Sequence, residues 1–327
     1  MEQIPIIDLN FIKDYSKDSE EQWVSLGYEI RNVMGRIGFI QLINHGIPED
    51  VVNSVFELNQ KFFELPNATK IKFTKPNSME MTSYYGYTKF GEETFGKEFG
   101  NRESFDWIEG HGVYPDEELP NFSVAIKLFH EHCKSVTKKL LRLFALGLGL
   151  EDVDFFVKRN KHWDDPDFTG MSNIRLAYYP KIQEANIPAG AVRIGEHTDF
   201  ITVTLLFQDE AGGLEARNLN GDWIPVTPIK GGIVVNTGDL LEYWTSGIFQ
   251  ATPHRVVIPE SELLKAMPRY SVVFFDGPEI NATVTPLKIS KTEEEEERIA
   301  KLGKTYPSDP VNAREHVFRK VKAAYAK

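Results

Sequence analysis

Apolar side chains recur at three- and four-residue spacing from about Glu20 to Ile37, which predicts a helix. Gly38 interrupts that pattern before the largely apolar run Phe39 to Ile43, which predicts a strand ended by the turn Asn44-His45-Gly46. A short alternating strand is expected before them, around Ile4 to Leu9. After Pro48, Glu49 and Asp50 stand where the positive end of a second helix would favour acids, and that helix is expected to pass through Phe62 and Phe63 and stop at Pro66. A third helix is predicted over Ser123 to Leu148, closing at Gly147 and Gly149.

Residues 75 to 120 are rich in Gly, Pro, Tyr and Glu without sustained periodicity, so loops and short strands are expected there. From residue 172 the texture changes to short runs of Ile, Val, Thr and Tyr, separated by turn signals such as Asn220-Gly221 and Lys230-Gly231-Gly232. Closely spaced strands without long helices between them favour a mainly β core, a sandwich or closed barrel, over a parallel α/β sheet. The run Glu293 to Glu297 predicts a solvated helix face, and the tail beyond it to Lys327 is a candidate cover for a site. With no internal repeat and no clear linker, residues 1–120 (helices and strands) and 121–327 (β core and C-terminal helix) are expected to form one integrated unit.

Composition narrows the partners. A net charge of -11 disfavours a broad surface for nucleic acid or anionic membrane, so a small-molecule partner is expected, with neither nucleic acid nor membrane. No apolar run is long enough to span a bilayer, and the start MEQIPIIDLN lacks the basic, then long apolar, character of a secretory signal. The single cysteine, Cys133, allows neither an intrachain disulfide nor a cysteine zinc cluster, which fits a cytoplasmic protein.

Candidate chemistry concentrates in Gly195-Glu196-His197-Thr198-Asp199-Phe200. In an extended strand His197 and Asp199 would project from one face and could share an ion. His254, in Thr252-Pro253-His254-Arg255-Val256, offers a third ligand. Two imidazoles and one carboxylate suit an iron(II) that keeps other positions for a cosubstrate and dioxygen. His162-Trp163-Asp164 repeats the spacing but runs into an acidic loop and reads as surface, while His45, His111, His130, His132 and His316 have no partner at useful spacing. Downstream, Arg269 and Ser271 in Pro268-Arg269-Tyr270-Ser271 project from one face of a predicted strand, where a guanidinium fork and a hydroxyl form a carboxylate receptor.

The ordered set of His-x-Asp, distal His and Arg-x-Ser resembles the iron(II) and 2-oxoglutarate-dependent dioxygenase superfamily, in the branch typified by isopenicillin N synthase and plant flavonoid dioxygenases. The likeness extends through Pro5 to Leu9, Gly38 to Pro48, Phe62 to Pro66, Gly213-Leu214-Glu215 and Asn236-Thr237-Gly238-Asp239. The resemblance implies a double-stranded β-helix (jelly roll) with flanking α-helices, metal ligands His197, Asp199 and His254, and 2-oxoglutarate contacts from Arg269 and Ser271. Tyr179 matches a cosubstrate-contacting tyrosine of the family, although Ala177 stands where many plant members have asparagine, and Phe200 replaces a tyrosine found in some relatives. The implied reaction oxidises a C–H bond of a small organic molecule, with hydroxylation the expected outcome and succinate and carbon dioxide released. Its cofactors are iron(II), 2-oxoglutarate and dioxygen, with ascorbate as a further candidate. Substrate walls are expected from Tyr84, Tyr85, Tyr87, Phe105, Trp107, Arg175, Phe200 and Phe275. An oxidase of the same fold, a non-catalytic jelly-roll binding protein and a zinc hydrolase are the competing readings.

Overall fold

The structure is a computed structural model and describes residues 2–75, 85–95, 98–164, 170–181, 192–258, 267–306 and 309–325. Strand β1 (Ile6–Asp8) leads to helix α1 (Glu20–Arg36), strand β2 (Phe39–Ile43) and helices α2 (Glu49–Glu64) and α3 (Asn67–Lys70). The short strands β3 (Gly86–Thr88), β4 (Thr94–Phe95), β5 (Glu98–Phe99) and β6 (Glu103–Trp107) precede the long helix α4 (Phe122–Gly147). Next come β7 (Asn173–Tyr179), β8 (Ile194–His197), β9 (Val203–Gln208), β10 (Leu214–Arg217), β11 (Trp223–Pro225) and β12 (Ile233–Thr237). Helix α5 (Asp239–Trp244), β13 (His254–Val256) and β14 (Arg269–Asp276) complete the core. The chain continues through β15 (Thr283–Val284), α6 (Glu293–Lys301), β16 (Val311–Asn312) and α7 (Ala313–Tyr325).

Eight strands form one sheet in the order β1-β2-β12-β9-β14-β7-β6-β3, and four form a second in the order β11-β10-β13-β8. Side-chain alternation sorts the large sheet into two faces. Ile40, Leu42, Leu205, Val235, Val272, Phe274, Ile174, Leu176 and Phe105 belong to the larger apolar cluster, with α1, α2 and α4. Phe39, Val234, Ala177 and Tyr179 from the opposite face meet Ile194, Leu214, Ala216, Ile224 and Val256 of the small sheet. The product is a jelly roll flanked by helices, and no described helix is long and apolar enough to cross a membrane.

Two glycine contacts set how the helices meet this core. At the α1–α4 crossing a Cβ on Gly147 would lie 2.2 Å from the Gly27 carbonyl oxygen, so the backbones approach as only glycine allows. Gly38 turns α1 into β2 at φ +65, and a Cβ there would sit 2.3 Å from the Gln250 carbonyl. Helix α6 starts on a capping box between Thr292 and Glu295, and Glu295 also binds Arg31 of α1 at 2.7 Å. The acidic run is otherwise solvated, apart from buried Arg298, which donates to the carbonyls of Gly247 and Ile248.

Register places the chemistry. In β14, Arg269 lies opposite Tyr179, Ser271 opposite Ala177 and Gln208, and Phe275 opposite Thr204, which in turn faces Asn236. The barrel-facing row of the large sheet thus runs from the arginine end to the level of Thr204 and Asn236. Two residues advance about 6.6 Å along a strand, so that row spans about 20 Å.

Candidate active site

His254 begins β13 and pairs directly with His197 at the end of β8, with a register shift just beyond the pair. Their ring centroids are 4.3 Å apart. Strand β8 ends at His197, so Asp199 is not the second tooth of an extended strand: it sits in the turn that leads into β9. Its position is fixed by side-chain bonds instead. Oδ2 accepts from Thr204 Oγ1 at 2.6 Å and from Asn236 Nδ2 at 2.7 Å. That leaves Oδ1 free to face His254 Nε2, 3.8 Å away.

Both imidazoles are oriented by backbone oxygen. His197 Nδ1 lies 2.9 Å from the Gly195 carbonyl, and His254 Nδ1 3.0 Å from the Thr252 carbonyl. A carbonyl only accepts, so each Nδ1 carries the proton and each Nε2 presents a lone pair. The ligand-type atoms of His197, Asp199 and His254 lie within 4.8 Å of one another. Burial first, and then His254, pull His197 down to about 3, which keeps it neutral. For Asp199 burial pushes upward, but the neighbouring imidazoles and the bonds from Asn236 and Thr204 hold it below the usual carboxylate range. Two imidazoles and one carboxylate are a donor set that fits a divalent iron.

Arg269 and Ser271 are each 1% exposed. The guanidinium of Arg269 donates to Gly212 O at 3.0 Å, Gln208 Oε1 at 3.3 Å and Ser271 Oγ at 3.4 Å, and packs 4.7 Å from the Tyr179 ring centre. All three acceptors are neutral, and the nearby carboxylate that acts on Arg269 is Asp209. Burial acts to raise the Tyr179 phenol, but Arg269 and Arg102, with hydrogen bonds from Arg102 and Ser271, bring it below its ordinary value.

The expected substrate walls divide. Phe200 follows Asp199 in the turn and Phe275 lies opposite Thr204 in the sheet, and both are part-buried. Arg175, beside Phe275 at 5.8 Å, is gripped by Asp106 at 2.7 and 2.9 Å and by Glu93 at 3.2 Å, a structural ion pair. Tyr87 lies in the helix-side layer, with its ring 6.0 Å from Phe62 and its hydroxyl on Glu103. Phe105 and Trp107 share that layer, where Trp107 packs on His130. The Tyr85 ring rests against Gly112, and Tyr84 falls outside the described residues.

Two histidine readings change. His162 is not a surface residue: Nε2 lies 2.9 Å from Ser172 Oγ, which donates to buried Asp276 at 2.6 Å. His130 does have neighbours, since it clusters with Glu109 and Glu131, but Lys127 and Lys134 already pair with those acids at 2.8 and 2.7 Å. The tethers Thr204 and Asn236 carried no assigned role in the sequence, although Asn236 lies in the motif Asn236-Thr237-Gly238-Asp239.

Comparison with known proteins follows the same lines. Residues 4–126 match the family described as "non-haem dioxygenase in morphine synthesis N-terminal", and residues 170–278 match the "2OG-Fe(II) oxygenase superfamily". The chain is 35% identical over 284 residues to the 2-oxoglutarate-Fe(II) type oxidoreductase ppzD of Metarhizium rileyi, covering 80% of this chain and 77% of that protein. It is 33% identical to the proline hydroxylase buaE of Petromyces alliaceus, covering 78% and 82% of the two chains. The crystal structure of a full-length Neurospora crassa protein in complex with alpha-KG and thymine superposes with a TM-score of 0.79 at 28% identity, covering 98% and 96%.

Proposed function

This chain belongs to the iron(II)- and 2-oxoglutarate-dependent oxygenase superfamily, and from that premise we propose that His197, Asp199 and His254 hold the iron while Arg269, Ser271 and Tyr179 receive the far carboxylate of 2-oxoglutarate. The protein is a 2-oxoglutarate-dependent dioxygenase that oxidises a small organic molecule. Bound iron(II) supplies the activation of dioxygen, coupled to conversion of 2-oxoglutarate into succinate and carbon dioxide.

The chain's own part is positioning. The carbonyls of Gly195 and Thr252 fix the tautomer of each histidine, and Thr204 with Asn236 leave one Asp199 oxygen to bind. Arg269 orients the far carboxylate, so the other end of the cosubstrate points toward the histidines. Phe200 and Phe275 line the substrate side, and Arg175 keeps Asp106 in place beside them, with hydroxylation as the outcome. The protein works in the cytoplasm, where Cys133, buried in α4, stays a thiol, and residues 1–120 and 121–327 act as one unit. The observation that supports this reading best is the convergence of three donor atoms, from half-buried His197 and buried Asp199 and His254, with both Nδ1 positions committed to backbone oxygen.

The test is succinate formation by anaerobically purified protein given iron(II), 2-oxoglutarate and oxygen. Slow uncoupled turnover in the wild type is expected, with His197→Ala silent and Arg269→Ala losing about a hundredfold in cosubstrate affinity through loss of a charged pair. Oxygen use that needs ascorbate but not 2-oxoglutarate would instead assign the site to an oxidase.

A further inference from the structure

Arg193 immediately precedes β8 and is held there by its backbone: its N–H donates to Val256 O at 2.8 Å, and its carbonyl accepts from the Asn101 N–H at 2.9 Å. Its side chain is 0% exposed, yet Nε and both terminal nitrogens have no hydrogen-bond partner among the described residues. A buried guanidinium with five unmet donor hydrogens is costly, and such a group is retained where something outside the chain completes it.

Its surroundings say what that something is. The guanidinium lies 5.9 Å from the centre of the Tyr179 ring, the same ring on which Arg269 packs at 4.7 Å. Burial first, and then repulsion from Arg269, pull Arg193 down to about 10, so the two cations feel one another. Asp209 is the carboxylate that opposes both, and it is already engaged by the backbone N–H groups of Ala211 at 3.1 Å and Tyr270 at 2.5 Å. Arg102, the other cation acting on Tyr179, is matched by Glu93 at 2.5 Å. Among the described residues, two arginines and one aspartate leave this group one positive charge in excess, which a single carboxylate would balance.

We propose that Arg193 is a second cation of the cosubstrate pocket and binds the far carboxylate of 2-oxoglutarate together with Arg269. This rests on the reading of Arg269, Ser271 and Tyr179 as the 2-oxoglutarate receptor. Arg193 is then a specificity residue: it favours 2-oxo acids with a second carboxylate over those that end in an alkyl group, and its unmet donors are a cost of the ligand-free protein that the cosubstrate removes.

The test is equilibrium binding to iron(II)-loaded protein without oxygen, by calorimetry, using 2-oxoglutarate and oxalate; oxalate chelates a metal but has no far carboxylate. Arg193→Met is expected to bind oxalate as the wild type does and 2-oxoglutarate about ten- to a hundredfold more weakly, with a ligand-free melting temperature that is unchanged or higher. Arg193→Lys, which keeps the charge but not the fork, should recover part of the lost affinity and serves if the methionine variant does not fold. Unchanged 2-oxoglutarate binding in Arg193→Met overturns the proposal. So does an equal loss of both ligands with a lower melting temperature, which would mark Arg193 as structural. A wild type that binds oxalate but not 2-oxoglutarate overturns the receptor reading itself, a result distinct from either.

Discussion

Asp199 owes its place to two neighbours on other strands, and this makes its carboxylate the most removable part of the cluster. Asn236→Ala deletes one of the two donors to Oδ2 while His197, His254 and the ladder remain. Such supporting bonds are worth about ten- to a hundredfold in metal affinity, so competition against a chelator should show iron(II) binding weakened by that factor with little change in melting temperature. Wild-type affinity in the variant would mean that Thr204 alone holds the carboxylate. The tether also marks where sequence reading stops. His197 and Asp199 stand out because ligand chemistry depends on residue type and short spacing, and His254 by its residue type and its place between the His-x-Asp and Arg-x-Ser motifs. The Asn236 bond crosses 37 positions and the Arg175–Asp106 pair crosses 69, and no local pattern encodes either. Arg193 was equally silent, since an unmatched buried cation is visible only once its surroundings are known.

At the scale of elements, periodicity located the helices well: α1, α2 and α4 end within a residue or two of the predicted limits, because their apolar stripes and Gly or Pro stops are local signals. It did not reveal that β8 stops at His197, since the register shift between β8 and β13 arises from pairing. Strand β14 illustrates a second consequence of pairing. It carries Asp276, fully buried at its end, into a chain of contacts with Ser172 and His162. Burial lifts the Asp276 carboxyl from 3.8 to about 7, against the opposing bond from Ser172. The native state therefore retains this proton longer than the unfolded chain, and the associated stability is present below about pH 4 and lost as pH rises through about 7. Asp276→Asn never ionises there, so its melting temperature relative to wild type should rise by several degrees between about pH 5 and about pH 8. Burial pulls His162 down to about 4, an effect of opposite sign in the lower part of that window, so the difference between the two proteins is the quantity to follow. A difference that does not change with pH would show that Asp276 ionises normally.

Across the whole molecule, the large sheet interleaves early and late chain: β2 lies between β1 and β12, while β6 and β3 extend the far edge beyond β7. The C-terminal segment docks on α5, with Lys304 on Glu242 at 2.8 Å and Lys320 on Asp239 at 2.7 Å. Asp239 in turn donates its N–H to the backbone carbonyl of Asp199 at 2.8 Å, so the end of the chain leans on the turn that carries the carboxylate. The candidate tail thus packs on the helix whose first residue is bonded to that turn. Because the two histidines belong to the small sheet while Asp199 is tied to the large one, the cluster also keeps time. Pairings between distant stretches of chain form late, after helices and local turns. On dilution from denaturant, helical signal should return before the protein can capture iron(II), and the lag between the two, followed by stopped-flow circular dichroism and a metal-release dye, would measure how long the sheets take to close. Simultaneous recovery would mean that the sheets meet as early as the helices form; a lag would make metal uptake a clock for the last step of folding.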